Sequence, residues 1–339
     1  MTERAAAIDR FLKGEGWGDA RRQPLAGDAS FRRYVRLVGD GGSAMLMDAP
    51  PEFEDVRPFV TVAEHLSALG FSAPCILARD LNQGFLILED LGDDTYTKRL
   101  DAGGDEEELY ALAVDVLIAL HKKPTAIVPG LPLYDDGRLL SEARLLVDWY
   151  VPAIAAEDGV GGPADETRLE YDRLWRQVMP RVRQVPDTLV LRDYHVDNLM
   201  WLPGRAGVAA CGLLDFQDAV AGPVSYDLIS LLEDARRDLP AGLADRMFAR
   251  YLDAFPTLDR DAFWASCAIM AAMRNAKIIG IFTRLDVRDG KPIYLKHIPR
   301  VWRLLQRDLE HPVLAPVKAW FARHIPAAAR RVPASGSPA

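Results

Sequence analysis

The chain has 339 residues, of which 49% are apolar and 27% charged, enough for a sizeable core in two domains or one large bilobal unit. Its formal net charge of −8 argues against non-specific nucleic-acid binding across the surface. Cys75, Cys211 and Cys267 are far apart and lack C-x-x-C spacing, so they read as buried thiols of a reducing cytosol rather than as a zinc site. The opening MTERAAAIDRFLK is a polar amphipathic helix start without the apolar core of a signal peptide. AFWASCAIMAAM, the longest apolar stretch, is too short to span a bilayer. These features predict a cytoplasmic protein with neither nucleic acid nor membrane as partner.

In chain order, residues 22–49 predict a β-hairpin. FRRYVRL puts Phe31, Arg33, Val35 and Leu37 on one face, GDGGS turns, and AMLMDA returns. Residues 58–69 predict a helix, and FLILED (85–90) a buried strand. After Leu91-Gly92 the pattern becomes helical. GDEEELYALAVDVLIALHKK has apolar residues near helical spacing, acids at its start and lysines at its end, as the helix dipole favours. Two apolar runs, LVLRDYHVDNLMWL and VAACGLLDF, flank the turn PGRAG and interrupt this helical part with a small hairpin. The expected plan is α+β: residues 1–91 form a small β-rich lobe, 92–326 a larger helical lobe, and 327–339 a small-residue, Pro-rich disordered tail. Residues 262–300 carry seven Lys or Arg against Asp286 and Asp289. They form either a solvated basic helix face or a local site for phosphate or carboxylate.

The polar residues of VLRDYHVDNLMWL define the candidate chemistry. Arg192-Asp193 and Asn198 follow the protein-kinase pattern R-D-x-x-x-x-N, and Asp215-Phe216-Gln217 takes the place of D-F-G. In that pattern the loop aspartate accepts the proton of the substrate hydroxyl, and the asparagine and second aspartate hold metal. A hairpin would bring Asp215 beside the loop, giving hard oxygen ligands suited to Mg²⁺, an ion that prefers phosphates and water as its remaining ligands.

The chain resembles the aminoglycoside phosphotransferase-like kinase superfamily, small-molecule kinases with a bilobal protein-kinase-like fold. That loop commonly reads H-G-D-x-x-x-x-N there, whereas this chain has Leu191-Arg192-Asp193. RDYHVDNLMWL, GLLDFQDAVAGPVSYDLISLLEDARRD and AAMRNAKIIGIFTRL resemble in particular the anomeric N-acetylmuramate/N-acetylglucosamine kinases of bacterial cell-wall recycling. The resemblance implies ATP and Mg²⁺ as cofactors and an amino sugar as acceptor, phosphorylated at C1. It makes Asp193 the catalytic base and Asn198 and Asp215 the metal ligands. Gly27, Asp28, Ala29 and Ser30 would cover the phosphates, while Glu89, Asp90 and Leu91 would offer backbone groups to adenine, their acidic side chains being solvated. Glu64 occupies the place of the family's helix glutamate. Its usual strand lysine is missing, since AMLMDAP offers Met45, Met47 and Asp48. Arg32 or Arg33 would replace it, with Arg33 taken as the nucleotide contact, because a guanidinium engages phosphate bidentately. Asp197 and Asp218 read as caps. His195 either touches the sugar or packs the loop. Arg274 and Asn275 either contact the acceptor's N-acetyl or carboxylate group or form a buried salt bridge with Asp215 or Glu233. Other expectations stay open: an aminoglycoside, amino alcohol or other sugar as acceptor, a Mg²⁺-dependent phosphohydrolase, or a non-catalytic ATP-binding regulator.

Overall fold

A computed structural model describes residues 3–25 and 31–335. Helix α1 (Glu3–Gly14) precedes strands β1 (Arg21–Pro24), β2 (Arg33–Gly39) and β3 (Gly42–Asp48). Helix α2 (Arg57–Ala68), β4 (Ile76–Asp80), β5 (Phe85–Glu89), α3 (Tyr96–Asp101) and α4 (Glu106–His121) follow. Next come α5 (Asp136–Ala143), α6 (Val151–Glu157), α7 (Asp165–Val178) and the short strands β6 (Asp187–Val190), β7 (Leu199–Trp201), β8 (Cys211–Leu213) and β9 (Val220–Pro223). The chain ends in α8 (Ser225–Leu232), α9 (Leu243–Ala254), α10 (Arg260–Val287), α11 (Ile298–Asp308) and α12 (Ala315–His324). This is the α+β content expected. By packing, the chain divides into Met1–Pro129 with Leu191–Ala219, and Gly130–Val190 with Val220–Ala339. Leu91-Gly92 therefore lies inside the first unit.

In the first unit five antiparallel strands run in the order β1-β2-β3-β5-β4. Alternation along β2 sends Val35 and Leu37 to one face, where Leu37 joins Leu12 of α1, Ala44, Leu46 and Ile87 in a core. The β2–β3 connection is the two residues Asp40 and Gly41, between paired Gly39 and Gly42. Gly42 has φ 125°, a conformation that glycine enters without a Cβ clash. Helix α4 starts as its composition predicts. Asp105 caps it by accepting from the Glu108 N–H at 3.1 Å, and Glu106, Glu107 and Glu108 occupy the positive first turn. β7 pairs with β8, Leu199 opposite Leu213 and Trp201 opposite Cys211.

The second unit is helical around α10. Ile269, Met270, Met273 and Ile279 of this helix are buried with Trp175, Trp302 and Phe321. By length and composition α10 could cross a bilayer, contrary to the expectation for this stretch. Even so, 83% of its most apolar window is buried inside the protein, as befits a core helix. β6 pairs with β9, Thr188 opposite Gly222, so residues 187–201 form two separate strands rather than one arm of a single hairpin.

Part of the tail expected to be disordered falls within the described residues. Residues through Ser335 are described, and Ala327–Ala329 form a short 3-10 turn. The Tyr150 hydroxyl bonds the carbonyls of Ala329 and Arg331 at 2.7 and 2.8 Å, and Arg331 pairs with Asp158 at 2.7 Å. Cys211 and Cys267 are buried, but Cys75 is exposed.

Candidate active site

The loop between β6 and β7 and the segment after β8 meet in the first unit. Leu214 N–H donates to the Asn198 carbonyl at 3.0 Å, which brings Asp215 beside Asn198; both line one cavity of about 320 Å³. That volume is at the lower end for small-molecule sites. Leu25, Tyr34, Met45, Phe59, Leu88, Met200 and Leu214 supply its apolar walls, and Thr95, Lys98, Asn198 and Asp215 its polar ones.

Three side-chain bonds fix the loop. The Tyr194 hydroxyl donates to the Ala113 carbonyl of α4 at 2.8 Å, the Thr97 hydroxyl of α3 donates to Asp197, and Asn198 Nδ2 donates to the Asp193 carbonyl at 2.9 Å. Asp193 N–H donates to the Leu191 carbonyl at 2.9 Å, closing a tight turn through Arg192 at φ 71°. Asp215, at φ 58°, accepts from Gln217 Nε2 at 3.0 Å and from Arg32 Nη2 at 3.1 Å. Phe216 is buried and stacks on Phe59 of α2 with ring centroids 5.0 Å apart. The aspartate is thereby held between a paired strand and a packed ring. A carboxylate and a side-chain amide on one cavity are the hard oxygen donors Mg²⁺ takes, so these residues fit the ion.

Glu89, Asp90 and Leu91 line the same cavity, but both acids are ion-paired, the Asp90 side chain being 5% and that of Glu89 28% exposed. Arg205 pairs with Glu89, and Arg36 Nε lies 2.7 Å from Asp90 Oδ2. Arg36 also donates to both Asp93 oxygens, at 2.8 and 2.9 Å, and to the Gly92 carbonyl at 3.1 Å. These bonds hold the Asp93 carboxyl below its usual pKa. Arg36 escaped the sequence reading. Its signal was its place on the face of β2 opposite Val35 and Leu37, where a charge needs partners.

Other expected residues sit elsewhere. Gly27, Asp28, Ala29 and Ser30 lie outside the described residues. Arg33 shares the face of Val35 and Leu37 and lines a different cavity with Ile8 of α1; Arg32 is the arginine that reaches Asp215. Glu64 is paired with Arg79 of β4 at 2.7 Å and both are about half exposed. His195 is buried, with Nε2 3.4 Å from Asn198 Nδ2. In the second unit Arg274 and Asn275 are buried in a polar cluster rather than displayed. Arg274 donates to the Glu233 carbonyl at 3.2 Å. Asn275 Nδ2 donates to Glu233 and Asp308 at 2.9 and 2.8 Å. Much of the basic window is neutralised locally, Lys277 by Glu142, Arg288 by Asp289 and Arg300 by Asp238.

The family model of the Phosphotransferase enzyme family matches residues 21–264, and the chain belongs to that family. An N-acetylmuramate/N-acetylglucosamine kinase of Caulobacter vibrioides is 39% identical over 97% of this chain and 99% of its own length. One of Pseudomonas aeruginosa is 40% identical over 89% and 88%. Among solved structures, choline kinase LicA from Streptococcus pneumoniae aligns with a TM-score of 0.61 at 11% identity, over 91% of this chain and all of that one. The GDP complex of aminoglycoside 2'-phosphotransferase-IIIa gives 0.61 at 12%, over 91% and 98%. At such identities the likeness to these structures concerns the fold.

Proposed function

We propose that the protein is a kinase that transfers the γ-phosphoryl group of ATP to the anomeric C1 hydroxyl of N-acetylmuramate, N-acetylglucosamine or both. The reading is carried by one observation: Asn198 of the R-D-x-x-x-x-N loop and Asp215 after β8 line a single cavity. The names of the curated relatives supply the acceptor class.

In this reading the purine lies against Met45, Leu88 and the 89–91 segment, with the phosphates towards Asn198 and Asp215. Asn198 and Asp215 would hold Mg²⁺, which when bound neutralises phosphate charge. Asp193 orients the C1 hydroxyl and accepts its proton as the oxygen bonds to the γ-phosphorus and the bond to the bridging β-oxygen breaks. An anomeric hydroxyl is more acidic than an ordinary alcohol. The base therefore takes its proton late, and positioning supplies most of the rate. The sugar 1-phosphate suits later nucleotide activation in cell-wall recycling.

The test is ADP release with Mg·ATP and N-acetylmuramate, N-acetylglucosamine, kanamycin, choline or no acceptor. Amino-sugar-dependent release is expected, with a C1-phosphate by ³¹P NMR and its loss in Asp193→Asn. Release with kanamycin or choline alone overturns the acceptor assignment, and release without acceptor points to a hydrolase.

A further inference from the structure

We propose that Arg32 is a phosphate-binding residue of the nucleotide site, supplying the cation that strand β3 lacks where Met45 lines the cavity. The proposal rests on the kinase reading above and names a residue within it. Its foundation is the guanidinium's surroundings. Arg32 precedes β2 immediately, its side chain is 12% exposed, and its Nη2 lies 3.1 Å from Asp215 Oδ1. Among the described residues its Nε and Nη1 are buried without a hydrogen-bond partner.

Buried donors almost always find partners, and an unpaired donor on a charged group carries a large desolvation penalty. Three of the groups acting on this guanidinium, Asp215, Glu54 and Asp218, are carboxylates, which explains why a cation stays there. Only Asp215 among them bonds it. The bonded Nη2 belongs to both two-pronged edges of the guanidinium, Nε/Nη2 and Nη1/Nη2, so either edge can engage two oxygens of a phosphate once Asp215 turns to a metal. Tyr34, two residues along β2, lines the nucleotide cavity with Asp215, so the free donors lie at the end of the cavity where the metal carboxylate is.

The contact with Asp215 also gives Arg32 a second position. Without nucleotide it neutralises the carboxylate that would hold the metal. With Mg·nucleotide the ion takes that carboxylate and the guanidinium turns its free donors to the phosphates. The two roles have opposite signs on removal of the arginine. If Arg32 binds phosphate, its loss weakens nucleotide binding. If it only neutralises Asp215, its loss removes a competitor of the metal and leaves binding equal or tighter.

The experiment is calorimetric titration of wild type, Arg32→Gln and Arg32→Lys with Mg·ADP and, separately, adenosine, after thermal melts establish folding. The expected result for Arg32→Gln is Mg·ADP binding weakened about 10- to 100-fold, the worth of one or two charge-assisted bonds, with adenosine affinity unchanged. Arg32→Lys should recover part of the loss, because it restores the charge without the fork. Unchanged or tighter Mg·ADP binding in Arg32→Gln overturns the proposal. So does an equal loss for adenosine and Mg·ADP, which would mark Arg32 as a merely structural residue of the cavity. Neither result touches the kinase reading, which fails separately if wild type binds no nucleotide.

Discussion

Arg36 ties β2 to the segment that follows β5, and its replacement by methionine separates the electrostatic from the packing contribution of the side chain. The two carboxylates it holds differ in exposure: Asp90's side chain is 5% exposed and Asp93's 61%. The Asp93 pair lies in solvent and is screened, so it is worth at most about 1 kcal/mol. Removing the partner of a buried carboxylate costs about 3–5 kcal/mol. Asp90 keeps one bond, from the Gly92 N–H at 3.0 Å, which offsets about 1 kcal/mol. Arg36→Met should therefore destabilise the first unit by about 2–4 kcal/mol, or lower its melting temperature by about 5–10 °C, while Asp93→Asn costs less than about 1 kcal/mol. The readout is urea and thermal unfolding of both variants, with and without ADP. Acid behaviour supplies a second check. The Asp93 carboxyl is held below its usual pKa by Arg36, so its contribution is present above the ordinary carboxylate range and is lost as pH falls through the depressed folded value. Arg36→Met should remove that acid-side loss. A melting temperature within about 2 °C of wild type, or an Asp93→Asn cost equal to that of Arg36→Met, would refute the assignment of the energy to buried Asp90.

Two further outcomes follow from the second unit. Burial, with Glu233 beside it, raises the Asp308 carboxyl well above its ordinary pKa. The folded state then binds the proton more tightly than the unfolded one, and stability falls as pH rises from the ordinary carboxylate range through the raised value. Asp308→Asn should flatten that fall, giving an advantage over wild type at pH 8 on the order of 1 kcal/mol in urea midpoints; a larger advantage at pH 5 than at pH 8 would contradict the sign. A Cβ on Gly280 would lie 2.2 Å from the Leu145 carbonyl carbon and 2.3 Å from its oxygen. Gly280→Ala should accordingly cost about 1–3 kcal/mol or more, and an unchanged melt would show that the backbones can part.

Much of this organisation is legible in residue patterns because local rules and tertiary packing agree. The hairpin of β2 and β3 follows from alternation around a glycine-rich turn. The start of α4 follows from its cap and acids, and the meeting of Asp215 with the Asn198 loop follows from strand, turn, strand. The place of Arg33 is legible in the same pattern. The same alternation that grouped it with Val35 and Leu37 sends it to the face covered by α1. What alternation does not reveal is pairing across distance: β6 takes β9 and β7 takes β8, and strands of three or four residues carry too little pattern to declare a partner. Arg274 and Asn275 interrupt an apolar helix, as expected of residues facing something polar, but Glu233 and Asp308 arrive from other helices. The polar partner is part of the protein itself.

Among the described residues Arg192 and Asp215 are the non-glycine positions with positive φ, and both belong to the candidate chemistry. An aspartate tolerates this region through its short polar side chain, but an arginine has no such compensation, and each such residue costs about 1–3 kcal/mol. Glycine, common at this place in the superfamily resemblance, would relieve the strain at φ 71°. Here the arginine stays, and its Nη1 donates to the Asp218 carbonyl at 3.4 Å. Beyond this turn the loop is anchored at three further points. Tyr194 is bonded to α4, Asp197 to α3 and Asn198 to the Asp193 carbonyl, and Asp193 follows from these anchors. If Asp193 is the base proposed above, a loop anchored in this way does not have to be ordered when substrate arrives, and positioning is the contribution that phosphoryl transfer most needs from the protein.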